Sequence, residues 1–182
     1  MKIELLEYPQ ENDWLAVKER ALVTIGKKAV TPPTEEWKHK ILKARHSPIR
    51  RLHFSFYLEI PYWVSVHLVR HIHAQPYVKS QRNDRQSDYD RNAARQDEIV
   101  CMIWDMNAEE LLTIANKRLC KQARKETRDV VREMKDLVLE NAPNLKIFSC
   151  RCAYITAANV TKCSLAEVTN EKKQTRKCYH RS

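Results

Sequence analysis

The stretch RHIHAQPYVKSQRNDR, residues 70–85, concentrates the side chains best suited to chemistry. It holds Arg70, Arg82, Arg85, Lys79, His71, His73 and Ser80 against a single acid, Asp84. A phosphate needs several converging donors; arginine supplies a bidentate fork and serine a neutral hydroxyl. Ser80-Gln81-Arg82 brings both together within three residues, a candidate anion-binding unit. Arg70 and His71 follow the apolar run PYWVSVHLV (61–69), where guanidinium and imidazole planes could stack on a planar ring. Composition alone leaves two other readings open. One is a solvated basic loop. The other is a nucleic-acid groove, since Tyr77 and Tyr89 interleave with Arg82, Arg85 and Arg91.

The elements that must position these groups can be traced from periodicity. Residues 1–7 alternate as a strand, and 13–25 place Trp14, Val17, Ala21 and Leu22 on one helical face, with Asp13 as the expected N-cap and Gly26 as the stop. Thr34 followed by two glutamates opens a short helix to about Lys43. In RRLHFSFYLEI (50–60), Leu52, Phe54, Phe56 and Leu58 alternate with His53, Ser55, Tyr57 and Glu59, the pattern of a half-buried strand. Pro61 ends it and suits the first turn of a helix reaching about His71. Residues 73–100 are polar and irregular, a long basic loop of the kind that in compact domains carries function or is disordered. Residues 107–142 read as helix, capped by Asn107, broken into two by irregularity near 119–123 and closed by Pro143.

At 182 residues and 43% hydrophobic, the chain suits one domain with its own core. The net charge of +10 favours an anionic partner, and residues 70–95 contribute five Arg and one Lys against three Asp. No run approaches the roughly 20 apolar residues of a membrane span. MKIELLEYPQEN does not read as an export signal, so a cytoplasmic location with no membrane partner is expected. Cysteines in that compartment are expected as thiols. Cys150, Cys152, Cys163 and Cys178, with His180, could together supply zinc ligands. The one-residue gap in CRC is shorter than zinc knuckles use, so no metal is expected there.

Residues 46–82, HSPIRRLHFSFYLEIPYWVSVHLVRHIHAQPYVKSQR, resemble the core of the flavin-dependent thymidylate synthases, the ThyX family. That family's signature opens Arg-His-Arg and, after seven intervening residues, reaches Ser-x-Arg; Arg70, His71, Ser80 and Arg82 fall at the matching positions. NAEELLTIANKRLCKQARKETR (107–128) resembles the family's downstream helix pair, and ENAPNLKIF (140–148) its close. The resemblance implies an α/β (α+β) domain with an antiparallel or mixed sheet flanked by helices. Residues 1–148 would be the catalytic domain and 149–182 a Cys-rich basic extension. It further implies a homotetramer with FAD at subunit interfaces, methylating dUMP to dTMP with carbon from methylenetetrahydrofolate and reducing equivalents from NADPH. Carried over by position, Arg70 and His71 would contact FAD or folate, with Arg118 and Arg128 as further cofactor contacts. Ser80, Gln81 and Arg82 would bind dUMP, with Arg82 on its phosphate. His73, inside the signature, joins Arg82 as a candidate catalytic group.

The departures from the family pattern are as informative as the matches. Ile72 replaces the third signature residue, an Arg, and Gln75 and Tyr77 replace a Ser and an Asn. The family's Glu-His ahead of the strand reads Arg50-Arg51, and its two dUMP-contacting arginines align with Glu109 and Asp136. The phosphate-binding half thus looks retained while the pyrimidine side has changed. A family member repurposed for another nucleotide, and a basic nucleic-acid-binding domain, stand as alternatives; no recognised nucleic-acid fold motif supports the latter.

Overall fold

The computed structural model describes residues 1–82, 84–85 and 89–145. The candidate zinc ligands and the 149–182 extension lie outside the described residues. Elements run β1 (Lys2–Glu7), α1 (Glu11–Val23), α2 (Glu35–Lys43), a 3-10 turn (Ser47–Arg51), β2 (His53–Pro61), α3 (Tyr62–Leu68), β3 (Gln75–Val78), β4 (Ile99–Asn107), α4 (Ala108–Arg118), α5 (Lys125–Asn141) and a last 3-10 turn (Pro143–Leu145). The four strands form one sheet in the order β1-β2-β4-β3, and each neighbouring pair is antiparallel. The α+β architecture implied by the resemblance is the one that forms. No helix among the described residues is long and apolar enough to cross a membrane.

The core follows from the alternation in the two central strands. Phe54, Phe56, Leu58 and Ile60 of β2 and Val100, Met102, Trp104 and Met106 of β4 are buried, and a pleated strand sends every second side chain to the same face. Trp14 and Val17 from α1, Ile41 and Leu42 from α2, Leu111, Leu112 and Ile114 from α4, and Val130, Val131 and Met134 from α5 join all of these except Val100 in one cluster. The opposite face of the sheet carries half-buried Tyr57, Cys101 and Asp105 and exposed Tyr77 and Ile103.

Local chemistry explains where the helices begin and end. Thr34 accepts from the Trp37 amide and Asn107 from the Glu110 amide, both as expected for N-caps. Helix α1 instead starts two residues early, at Glu11. Gln10 is its cap, and Asp13 occupies the third helical position, where its carboxylate accepts from the Gln10 amide at 3.0 Å. Gly26, at φ +69°, takes the left-handed conformation that lets the chain leave α1. Helix α3 ends at Leu68 rather than His71, so Arg70 to His73 lie in the turn after it.

One unexpected strand, β3, lies inside the expected 73–100 loop, and a second, β4, lies mostly just beyond it, in residues 101–106 that carried no expectation. β4 escapes the alternation test because Ile99, Cys101 and Ile103 on its outer face are as apolar as the inner ones. β3 is four residues long and contains Pro76, which is tolerated on an edge strand because no ladder donor is required of it there. The long connection shrinks to residues 79–98.

Truncating Phe56, fully buried between β1 and β4, should cost about 3–5 kcal/mol. Ile103→Ala on the open face should cost about 1 kcal/mol or less. Urea denaturation of the two variants should show this order; equal losses would place the core on the wrong face.

Candidate active site

The β2–β4 ladder sets the frame of the site. Its nine residue pairs end at His53–Asn107, and the Ala108 amide then donates to the Leu52 carbonyl at 2.9 Å. The 3-10 turn preceding β2 is thereby held beside the first turn of α4. Arg50 on the turn donates from Nε to Oε2 of Glu109 on the helix. Arg51 pairs with Asp13 of α1 at 3.2 Å, so the turn is anchored on two sides.

A cleft of about 720 Å³ opens at this end of the sheet, lined by Arg50, Arg70, His71, Ile72, His73, Asn107, Glu109, Glu110, Thr113 and Lys117. Beneath it lies a chain of buried polar groups. His71 is 5% exposed, as is Glu110. Nδ1 of His71 sits 3.2 Å from Oε1 of Glu110, and its Nε2 sits 3.1 Å from Nε of Arg118. Arginine can only donate. Nε2 is therefore the acceptor, and the single ring proton is on Nδ1, donated to Glu110. Arg118 also donates from Nη2 to the His67 carbonyl at 2.8 Å, tying α4 to the end of α3.

This chain favours neutral His71. Burial, with Arg118 and Lys117 nearby, pushes His71 down to about 4 from an ordinary 6.5. Burial pushes the Glu110 carboxyl up, while His73 and Lys117 pull it the other way. Burial, and then Arg70, push Arg118 down. With both ring nitrogens engaged, His71 has no free proton site to offer a ligand; its remaining surface is the ring itself.

The charges of the cleft do not cancel evenly. Glu109 is engaged by Arg50 and Glu110 by His71. Arg70 and Lys117 are exposed cations of the lining with no hydrogen bond or ion pair among the described residues. The cleft thus presents unpaired positive charge, an exposed aliphatic side chain (Ile72, 79% exposed) and one Arg–Glu pair.

The residues expected from the sequence divide into two groups. Arg70, His71 and His73 come together in the cleft, with Arg118 directly behind His71. Ser80, Gln81 and Arg82 are not part of its lining. They lie on the 79–98 connection, where the Arg82 amide donates to Ser80 Oγ and the Arg82 side chain grips Asp84, with Nε to Oδ1 at 2.8 Å. Arg128 donates to the Lys121 and Ala123 carbonyls, closing the turn between α4 and α5. Glu110, Thr113, Lys117 and Asn107 were not singled out as site residues. Glu110 and Lys117 carried no sequence signal, since charged residues on a helix read as a solvated face. Arg50 and Glu109 did carry one, as departures from the family pattern.

A four-stranded antiparallel sheet with helices on one face and a polar cleft at the β4–α4 junction makes this an α+β domain. The fold of thymidylate synthase X from Helicobacter pylori, solved with FAD and dUMP, matches with a TM-score of 0.66 at 14% identity, over 81% of this chain and 97% of that one. The UMP/dUMP methylase PolB from Streptomyces cacaoi, bound with 5-Br dUMP, matches with a TM-score of 0.65 at 14% identity, over 81% and 94% of the two chains. The model of the Thy1 family, thymidylate synthase complementing protein, matches residues 100–144, which span β4, α4 and α5. No curated protein matches the sequence. The resemblance to the ThyX family is borne out in the fold and in the family match over residues 100–144.

The neutral His71 has a pH signature. In the unfolded chain its ring takes up a proton near 6.5; in the fold it resists until about 4. Stability from this group is full above 6.5 and falls as pH drops from 6.5 toward 4. Glu110, raised by burial, acts in the opposite sense, with stability greatest at low pH and lost as pH rises through its elevated value. His71→Asn should therefore lose less stability than the wild type between pH 7 and pH 5, read as urea midpoints. Equal losses would mean His71 is not held neutral.

Proposed function

We propose that the cleft binds a pyrimidine nucleotide and that the protein methylates its ring with the help of a flavin, acting on dUMP or a related nucleotide. The observation that carries this reading is the charge imbalance of the lining. Both carboxylates are engaged while Arg70 and Lys117 have no ion pair among the described residues, as groups awaiting an anion do. Support comes from the folds it resembles, whose structures hold dUMP with FAD, or 5-Br dUMP.

The lining also fits a flavin dinucleotide. Ile72 with the flank of the His71 ring would pack against its planar ring, leaving Arg70 and Lys117 for the phosphate of the nucleotide. FAD would supply the reducing chemistry; methylenetetrahydrofolate as carbon donor and NADPH as reductant complete the proposed reaction. His73, exposed in the cleft lining, would exchange a proton with bound substrate. Arg118, fixed by His71 and the His67 carbonyl, positions the floor of the cleft. Ser80, Gln81 and Arg82 would serve the cleft of a neighbouring copy in a homotetramer. Exposed Tyr77, Ile99 and Ile103 on β3 and β4 give such an assembly apolar surface to cover.

The nucleic-acid reading draws less support. Arg82 and Arg95 on the basic connection are each paired within the loop, to Asp84 and Asp97. That consumes charge a polyanion would need.

Arg70→Ala or Lys117→Ala should weaken dUMP binding to the FAD-supplemented protein by about ten- to a hundredfold, the worth of one charge-assisted contact. Calorimetric titration gives the affinities, and unchanged values would remove the cleft as the anion site. Anaerobic turnover of pyrimidine nucleotides with methylenetetrahydrofolate and NADPH tests the chemistry. Flavin-loaded protein that yields no methylated product from any of them would overturn the methyl-transfer reading.

A further inference from the structure

We infer that the Arg50–Glu109 pair reads the base, and that the base it fits is cytosine, so the nucleotide of this cleft is a cytidylate. The inference rests on the cleft being a nucleotide site.

The argument starts from the groups the pair can offer. Glu109 has one carboxylate oxygen engaged by Nε of Arg50, and both side chains line the cleft. The second carboxylate oxygen is an acceptor and the two terminal nitrogens of Arg50 are donors. The pair therefore offers an acceptor on one side and donors on the other, beside a cleft whose phosphate-seeking cations, Arg70 and Lys117, are separate residues. Arg51–Asp13 fixes the turn that carries Arg50, and Asn107 caps the helix that carries Glu109, so both side chains of the pair spring from anchored backbone.

The pyrimidines differ along their polar edge. Cytosine shows an amino donor at C4, then the N3 acceptor, then the O2 acceptor. Carboxylates accept from that amino group, and arginine donates to ring nitrogen and carbonyl acceptors. Glu109 on the amino group and Arg50 on N3 and O2 leave each partner matched. Uracil shows a carbonyl, an N–H and a second carbonyl. Glu109 could accept only from the central N–H, and would then lie between two carbonyl oxygens. Arg50 can serve one of these; the other faces the carboxylate, acceptor against acceptor. An unmatched polar contact in a binding site is penalised more than a matched one is rewarded.

The deciding experiment titrates FAD-supplemented protein with dCMP, dUMP and the baseless 2-deoxyribose 5-phosphate. The wild type should bind dCMP about tenfold more tightly than dUMP, the size of one well-made polar pair at a base edge. Glu109→Gln, whose amide can donate as well as accept, should bring the ratio close to one, with 2-deoxyribose 5-phosphate measuring the change in phosphate affinity common to both nucleotides. Arg50→Gln is the second variant and should also erase the preference. Equal affinities, or tighter dUMP, in the wild type would overturn the base assignment while leaving the nucleotide site standing. A dCMP preference that survives in both variants would overturn the roles of Arg50 and Glu109. Failure of all three compounds to bind would remove the nucleotide reading itself, and this inference with it. If neither variant folds, the wild-type ratio alone decides the base.

Discussion

Everything at the site depends on the antiparallel pairing of β2 with β4. Nine residue pairs run from Pro61–Ile99 to His53–Asn107 without a slip. In an antiparallel pair, the segment leading into one strand lies beside the segment leaving the other. Residues 47–51 are therefore neighbours of 108–110, although 59 positions separate Arg50 from Glu109. A one-residue slip of β4 would exchange its two faces, burying Ile103 and exposing Trp104. At the other end the Tyr62 amide donates to the Glu98 carbonyl at 2.8 Å and the Trp63 amide to the Gln96 carbonyl at 3.1 Å. These bonds fix where α3 starts, and so where Arg70 to His73 emerge.

The polar chain Glu110–His71–Arg118 is the second constraint, and it shows why the cleft is cationic. Burying a carboxylate or a guanidinium costs free energy unless each is hydrogen-bonded. One neutral imidazole between them satisfies both: its Nδ1 proton goes to Glu110 and its Nε2 receives Arg118. The acid of the cleft floor is thereby engaged without using a cation of the rim. Glu109 is likewise engaged by Arg50, which comes from the turn and not from the signature. Arg70 and Lys117, both exposed, are left facing the cleft with no ion pair among the described residues.

The departures from the family pattern take on a physical meaning in three dimensions. Read singly, Arg50 and Glu109 are two unrelated changes on either side of a strand pair. In the fold they are one ion pair across the cleft wall. An acid introduced beside an anion site would otherwise oppose the ligand; its arginine partner restores the local balance. Asp136, the other acid aligned with a family arginine, is exposed and lies beside Lys135 at 3.8 Å. It does not line the cleft.

Much of this was legible in the chain. The alternation in 53–60, the caps at Thr34 and Asn107, the break between α4 and α5 and the clustering of Arg70, His71 and His73 all follow from local chemistry acting over a few residues. β4 was not legible, because a central strand with apolar residues on both faces has no polar phase to read. β3 was not, because four residues with a proline carry too little pattern. Glu110 looked like any helix-surface acid until α4 turned it onto a buried histidine. Sequence by itself determined which residues carry the charge and which segments fold locally. Only the tertiary structure decided which charges neutralise one another and which remain free. Pairing is a property of distance in space, and the β2–β4 register sets that distance.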